Sequence, residues 1–474
     1  MKGIKSERKE NYEKDIHYSL FIICCAVLNS CGVYRKYQSQ TEAPDHLFGT
    51  GDTIESLQAE TTIADVSWRE FFTDPLLRDL IDSALVRNTD LQSAQITVMQ
   101  AQASLRAAKL AYLPSISLAP QAGVAGTLPA GGSFSSPTYT YHVPIAVDWN
   151  IGIAGSATVN KRKSKALLAQ AEASRDAMQA NLISTVAQEY FQLLLLDKQL
   201  QILIQTDSLW NLSLETERAL WANGRAYSTA VSQMESSNLN VKMQIVEVQR
   251  AIRSVENEIC KLLRITPQSI ARGEWGRYEL PERYSTGVPA TLLQNRPDIK
   301  AADQALAEAF YNTALARSAF FPSISLSGLI GWTNNGGAIA NPGALLMQIA
   351  ASLTQPIFGQ GKLRANLKIA KLSQEDKLNS YVQTVINAGN QVNGYLADCQ
   401  VARDKDLLYK RQVEVLQDAC TGTHELMNSG KASYLEVLTA QESLLTAQLN
   451  EASNLYDGAQ ALIALYISLG GGGK

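Results

Sequence analysis

The stretch that decides the fold is LVRNTDLQSAQITVMQAQASLRAAKLAYLPSISL, from Leu85 to Leu118, because the chain contains it twice. The second copy, LQNRPDIKAADQALAEAFYNTALARSAFFPSISL, runs from Leu293 to Leu326 and is identical at 11 of 34 positions, five of them in the shared PSISL. Solenoid repeats recur roughly every 20 to 50 residues, and the two copies here lie much farther apart along the chain. The sequence therefore predicts one duplicated half-molecule with a pseudo-twofold relation inside the chain.

Each half also contains two long helical patterns. In the first half one runs from about residue 158 to 221, and its residues would extend roughly 95 Å at 1.5 Å per residue. A second helix is predicted from about 228 to 263, with apolar residues alternately four and three positions apart. That spacing is a heptad seam, typical of helices that supercoil against their neighbours. Helices of this length predict a long hollow bundle rather than an ordinary globular core.

Apolar and polar residues alternate with a period of two in four shorter segments. The longer ones are 139–149 and 345–353, and shorter ones follow the two Pro-Ser pairs at 116–118 and 324–326. A transmembrane β-strand needs about ten such residues. A half-buried strand of a soluble sheet gives the same alternation, so this pattern leaves both interpretations open. No apolar run is long enough for a transmembrane helix, and four strands are too few to close a barrel, so a barrel shared between chains is predicted.

The N-terminus predicts export and lipid attachment. The apolar run Leu20–Leu28 is too short to span a bilayer as a helix and suits a signal peptide. Asn29 and Ser30 follow it, directly before Cys31, and Leu28 to Cys31 resembles a bacterial lipobox. Cleavage there would leave Cys31 as a lipid-modified N-terminus. The alternative is a poor signal peptide with an incidental cysteine.

Composition argues against several function classes. Removing residues 1–30 takes away five basic and four acidic residues, so the net charge changes from −3 to −4, with no indication of a nucleic-acid partner. Three cysteines remain beyond Cys31, all in helical patterns, and we expect buried thiols rather than disulfides. Walker loops, HExxH and CxxC pairs and nucleophile elbows do not occur in the sequence. The sequence therefore predicts no enzyme, no catalytic residue, no cofactor and no metal site.

The duplication and the signal divide the chain into six predicted segments. In chain order they are a signal peptide (1–30), a lipidated N-terminal linker (31–67), a first structural repeat with helices, two β-strands and a long helix pair (68–265), an inter-repeat linker (266–289), a second structural repeat (290–469) and a flexible glycine-rich tail (470–474).

Three motifs carry a family resemblance: WREFFTDPL at 68–76, NRPD at 295–298, and QPIFG followed by GKLRA between 355 and 365. In this order and spacing they resemble the TolC-like outer-membrane efflux proteins, in particular the lipidated OprM-type outer-membrane factors. The resemblance covers residues 68 to 469. It implies a mixed α and β membrane protein, a homotrimer in which each chain gives four strands to one 12-stranded transmembrane β-barrel. The barrel would continue into a long periplasmic α-helical barrel.

By this resemblance the chain is the exit duct of a tripartite efflux pump, passively exporting drugs or other small solutes. Its expected partners are a periplasmic adaptor (membrane fusion protein), an inner-membrane RND transporter and outer-membrane lipid. It would lie in the outer membrane, lipid-anchored and spanning, and extend into the periplasm. A type I protein secretion duct has the same architecture but an ATP-driven partner. A soluble coiled-coil scaffold is a third hypothesis, but it leaves the alternating strands unexplained.

The resemblance also implies a periplasmic gate beyond the helix turns at Gly224 and Gly430. Both glycines could simply end helices, because a glycine in the left-handed region carries no Cβ penalty. The stretch SYLEVLTAQ after the second turn is similar to one in which relatives narrow the pore with a leucine and two aspartates. Leu435 matches the leucine, Glu436 keeps an acid, and Thr439 lacks the second acid. Three copies of Glu436 could form a ring that holds cations, or Glu436 could be an ordinary solvated glutamate.

Overall fold

A computed structural model of the chain describes six parts of it: residues 35–39, 66–126, 138–152, 155–275, 295–334 and 344–472. The predicted signal peptide and Cys31 lie outside the described residues. So do most of the N-terminal linker, residues 276–289 of the inter-repeat linker and the two loops between paired strands.

Eight helices and five strands form within the described residues. The helices are α1 (Trp68–Phe71), α2 (Pro75–Arg87), α3 (Thr89–Leu110), α4 (Ser156–Ala222), α5 (Ser228–Leu262), α6 (Pro297–Ser318), α7 (Lys362–Asn428) and α8 (Tyr434–Ser468). The strands are β1 (Ser115–Leu118), β2 (Gln121–Ala125), β3 (Thr138–Gly152), β4 (Ser323–Thr333) and β5 (Ala344–Thr354).

The predicted duplication is visible in the helix lengths. α3 and α6 each have 22 residues, α4 and α7 each have 67, and α5 and α8 each have 35. In the first repeat, α4 and α5 begin and end within about two residues of the bounds predicted from the sequence. Among the described residues, no helix combines the length and the apolar character needed to cross a membrane.

The strands form one antiparallel sheet in the order β1–β3–β4–β5, with β2 also paired to β3. β1 pairs with residues 145–148 of β3 and β2 with residues 138–142, so two short strands follow one another along the same edge. Between them lie Ala119, whose N–H still donates to the carbonyl of Pro144 at 3.2 Å, and Pro120, which has no N–H to donate. The four predicted strand positions are present, and the first is broken at this proline.

Large apolar side chains lie mainly at alternate positions of the strands, as a period of two predicts, although every described side chain of β5 is exposed. On β5 they include Leu345, Met347, Ile349 and Leu353. β4 and β5 have 11 residues each, about the length that a tilted transmembrane strand requires. The described sheet therefore has both the length and the side-chain pattern of membrane-spanning strands.

The chain divides into two compact units. The sheet unit contains the described residues up to 39, those of 99–169 and those of 303–379; the helical unit contains the remainder. In the sheet unit an apolar cluster includes Val159 of α4 and Tyr311 of α6. The helical unit has the larger core, in which Cys260 is buried as predicted. Cys399 is also buried, whereas Cys420 is only partly buried. Each unit thus has apolar packing of its own.

A partly buried polar network supports the helical core at the start of α2. Asp74 caps α2 by accepting from the N–H of Leu76 at 2.9 Å, and it also accepts from the hydroxyl of Tyr190 at 2.5 Å. The Tyr190 oxygen in turn accepts from the N–H of Gly273 at 2.9 Å. Burial, together with the hydrogen bond to Asp74, raises the pKa of Tyr190. The network ties the chain just after the first repeat to the core of that repeat.

The glycine-rich end is packed where the structure describes it, so the predicted flexible tail is wrong for residues 470–472. Gly471 and Gly472 are buried, and the N–H of Gly472 donates to the Tyr466 hydroxyl at 3.1 Å. A Cβ at Gly471 would lie 2.5 Å from the Tyr466 ring. Composition alone suggested flexibility because it carries no information about this close approach of backbone to ring.

Candidate functional site

Two glycine turns join the long helices of the helical unit, at the positions predicted from the sequence. Gly224 has a φ of +71° and Gly430 a φ of +73°, and a Cβ at either position would meet nothing within 4 Å. In the first turn the N–H of Arg225 donates to the carbonyl of Leu220 at 2.8 Å, and the matching bond in the second turn is also 2.8 Å. These bonds are those of a Schellman cap. Backbone conformation, and not crowding, therefore accounts for both glycines.

The second turn leads directly into α8, whose first turn contains a predicted gate residue. The carboxylate of Glu436 accepts a hydrogen bond from the backbone N–H of Ser433 at 2.8 Å. Ser-x-x-Glu at a helix start is the capping-box spacing, in which the glutamate satisfies an N–H that no helical carbonyl can reach. Glu436 thus has a local structural role in addition to any role in a pore.

The three predicted gate residues share one exposed face of α8. Leu435 is 49% exposed, and Glu436 and Thr439 are exposed beside it. The Thr439 hydroxyl donates to the carbonyl of Leu435 at 2.8 Å, which holds the hydroxyl against the helix. Val437 and Leu438 face the opposite way and are buried. One apolar, one acidic and one hydroxyl side chain are therefore presented together, available to meet other copies of the chain.

The start of α8 is held against α5 of the first repeat by two polar contacts. The hydroxyl of Tyr434 donates to Oε1 of Gln233 at 2.8 Å, and the hydroxyl of Ser237 donates to Oε1 of Glu442 at 3.1 Å. Sequence patterns contain no signal for these pairs, because their members are more than 200 residues apart and do not occupy equivalent repeat positions. They link the two repeats next to the predicted gate.

The regions around both turns are acidic. Residues 207–240 and 413–446 together contain nine Asp and Glu but only three Lys and Arg. Arg218 pairs with Glu235 at 3.1 Å, while Glu217 is buried, and burial raises the pKa of its carboxyl. No cluster of His, Cys, Asp and Glu in the described part of the chain is arranged to hold a metal ion. An acidic surface of this kind favours diffuse attraction of cations over a built metal site.

A sheet with membrane-strand patterning and duplicated pairs of very long helices together define a class: an integral membrane channel with a helical extension. The chain belongs to the outer membrane efflux protein family, whose model matches residues 80–263 and 288–471. The family model therefore matches the chain twice, once in each predicted repeat.

Individual relatives match over nearly their whole length. The chain is similar to the cation efflux system protein CusC of Escherichia coli (strain K12), with 28% identity over 461 residues that cover 96% of this chain and 99% of CusC. It is also similar to a toluene efflux pump outer membrane protein, TtgC, of Pseudomonas putida, with 27% identity over 462 residues, 94% of this chain and 93% of TtgC.

Solved structures show the same fold. The outer-membrane channel OprN superposes with a TM-score of 0.84 at 23% identity and covers 93% of this chain and 99% of OprN. A structure of CusC superposes with a TM-score of 0.82 at 26% identity and covers 93% of this chain and 100% of the CusC chain. These likenesses confirm the predicted fold class.

The family also decides between the functional hypotheses. The chain is an outer-membrane channel of an efflux system, which confirms the predicted function and location. The relatives are efflux components, so the type I secretion alternative receives no support. The soluble scaffold is wrong, because members of this family are outer-membrane proteins.

Proposed function

We propose that this chain is the passive exit duct of a tripartite pump and has no catalytic activity of its own. A periplasmic adaptor and an inner-membrane RND transporter would bring the substrate and supply the energy. The naming of similar proteins as parts of efflux systems and efflux pumps supports this arrangement. CusC is named for cation efflux and TtgC for toluene efflux, so one architecture serves very different cargo. We therefore propose that the pump, and not the duct, selects the substrate.

We propose further that Leu435, Glu436 and Thr439 form the periplasmic gate in a trimer. The observation that carries this proposal is their common exposed face directly after the turn at Gly430. Around a threefold axis, three copies of Leu435 would make an apolar constriction that opposes wetting. Three Glu436 carboxylates near the same axis would repel one another unless cations or water lay between them.

The equivalent position in the first repeat is Ala230, which is buried. A ring at this level would therefore take its acidic groups from one repeat only, three per trimer rather than six. Such a ring should bind divalent cations weakly and reversibly, which agrees with a gate that must open.

The test measures the subunit composition of the purified complex and the conductance of the channel. Tagged full-length chain is cross-linked in cells and purified with the proteins bound to it, which should include an adaptor and an RND transporter, and native mass spectrometry should give three copies of the chain. Reconstituted trimer should show a low resting conductance that divalent cations reduce further. Recovery of an ATP-driven transporter, or a stable membrane-inserted monomer, would contradict the proposal.

A further inference from the structure

Every charged side chain in the segments that join the helices to the sheet is basic. Residues 106–114, 155–165, 309–322 and 355–371 contain eleven Lys and Arg and no Asp or Glu, although the whole chain has a net charge of −3. We call these eleven residues the junction cations: Arg106, Lys109, Lys161, Arg162, Lys163, Lys165, Arg317, Lys362, Arg364, Lys368 and Lys371. All are exposed except Arg162 and Lys163, and Lys163 is paired with Glu308, just outside these segments, at 3.1 Å.

The duplication places cations at matching helix positions. Arg162 and Lys165 of α4 correspond to Lys368 and Lys371 of α7 at the same offset that relates Gly224 to Gly430. Lys165, Lys368 and Lys371 are exposed. Both long helices thus present positive charge at the same distance from their starts.

Helix energetics do not account for the cations of α7. Lys362 and Arg364 lie in its first turn, which has no acidic residue, although the helix dipole favours negative charge there. Arg364 and Lys368 are four residues apart, a spacing at which like charges destabilise a helix. These three residues and Lys371 form no ion pair with any residue that the structure describes. Because these cations are unfavourably placed for the helix and have no ion pair within the described chain, we infer that they bind an anion from outside the protein.

Exposed apolar side chains accompany these cations. Ile357 is 96% exposed and Phe358 87%, immediately before α7, and Ile369 and Leu372 are exposed within it. Lysine and arginine among apolar side chains, without acidic residues, are typical of a surface at the boundary between hydrocarbon and water. The start of α7 therefore has the composition of a membrane interface.

The N-terminal segment is docked on the same sheet unit. The hydroxyls of Tyr37 and Ser39 both donate to Oδ1 of Asp303 at 2.8 Å, and Tyr37 packs beside Phe310. Cys31, the predicted lipid attachment site, is six residues before Tyr37, so an extended chain would reach about 20 Å at most from this docking point. A lipid on Cys31 would thus enter the bilayer close to the sheet unit that carries the junction cations.

We propose that the exposed junction cations bind the phosphate groups of anionic phospholipids in the leaflet where the sheet ends and the helices begin. The cations of α7, with Ile357 and Phe358 inserted beside the acyl chains, form the centre of this surface. The inference depends on the outer-membrane location of the chain and is independent of the gate. It assigns to the junction a lipid-binding role that fixes the depth of the channel in the membrane.

The test counts bound lipids on the full-length trimer in detergent by native mass spectrometry. The protein is titrated with dioleoyl-phosphatidylglycerol or with zwitterionic dioleoyl-phosphatidylcholine. The test variant replaces the four cations of α7 with glutamine. A control of equal charge change replaces four exposed cations of α5 with glutamine: Lys242, Arg250, Arg253 and Lys261, of which all but Arg253 pair with an acidic side chain.

The wild type should bind phosphatidylglycerol more tightly than phosphatidylcholine, and inorganic phosphate should not displace the lipid. Each cation near an anionic surface is worth about a fivefold change in affinity. The affinity of the α7 variant for phosphatidylglycerol should therefore fall at least about tenfold, while its affinity for phosphatidylcholine stays unchanged. The α5 control should behave as wild type. If the quadruple variant does not fold, Lys368→Gln with Lys371→Gln leaves the first turn of α7 intact, and arginine at both positions should retain binding.

Equal phosphatidylglycerol affinity in the α7 variant and the wild type would overturn the proposal, as would the same loss in the α5 control. A variant that changes the anion-to-cation selectivity of single channels while its lipid affinity is unchanged would place these cations at the lumen and would also overturn it.

Discussion

The carboxylate of Glu436 lies 2.8 Å from the backbone nitrogen of Ser433, from which it accepts a hydrogen bond. One side chain therefore caps α8 and also stands on the exposed face that would meet other copies of the chain. Removing the whole side chain would disturb both roles at once. Glutamine separates them, because it can accept the same hydrogen bond without carrying charge.

We expect Glu436→Gln to weaken block of the channel by divalent cations while leaving thermal stability close to wild type. Glu436→Ala should weaken the block equally and also cost about 0.3–1.5 kcal/mol of stability, because the cap is lost. Single-channel recordings in planar bilayers and circular-dichroism melts measure the two effects. Cation block that survives the glutamine change would leave Glu436 as a helix cap only.

Leu435→Ala should raise the resting conductance, because a smaller apolar constriction is easier to wet. Cells that express it should also admit large antibiotics more readily. Leu212→Ala is the matched control, since Leu212 is exposed on α4 and has no predicted gate role. The same increase in both variants would show that the leak reflects general loosening of the helices.

Thr439→Asp should strengthen cation block, since a second acidic group would lie one helical turn from Leu435 and next to Glu436. The change removes the hydroxyl bond to the Leu435 carbonyl, but the residue is exposed and the expected cost in stability is small. Thr439→Asn controls for size without charge. Titration of Mg²⁺ in single-channel recordings should give a lower blocking concentration for aspartate only; equal values for aspartate and asparagine would contradict the prediction.

Cys31→Ala should abolish acyl labelling and globomycin-sensitive processing of the chain. Insertion in the outer membrane should persist, because the strands, and not the lipid, would hold the channel in the bilayer. Radiolabelled palmitate and fractionation of the two membranes measure both outcomes. Labelling that persists in the variant would show that Cys31 is not the attachment site.

Much of the fold could be predicted because the sequence repeats its hydrophobic periods. The heptad seam of residues 241–262 predicted α5, and strict alternation from 139 to 149 predicted β3, each to within a few residues. The break at Pro120 and the packed end at Gly471 were not predicted. Both depend on which segment lies opposite, and single-sequence patterns do not contain that information.

The candidate site was predictable to a lesser degree. Gly430 was found because a left-handed helix end restricts the choice of residue. The common exposure of Leu435 and Thr439 follows from their separation by four residues on one helix. The hydrogen bond from Tyr434 to Gln233 could not be foreseen, since it joins side chains of different repeats.

Replacing a turn glycine and a helical glycine with alanine should change the stability of the protein in opposite directions. Gly430→Ala should destabilise the protein by about 1–2 kcal/mol, because an alanine at a φ of +73° is strained even with open space around its Cβ. Gly422 lies inside α7, where a Cβ would also meet nothing within 4 Å, and its φ is not positive. Gly422→Ala should therefore stabilise the helix by up to about 1 kcal/mol. Thermal melts of both variants in the same detergent measure the two effects. If Gly422→Ala loses as much stability as Gly430→Ala, both glycines are required by crowding in the assembled channel and not by backbone conformation.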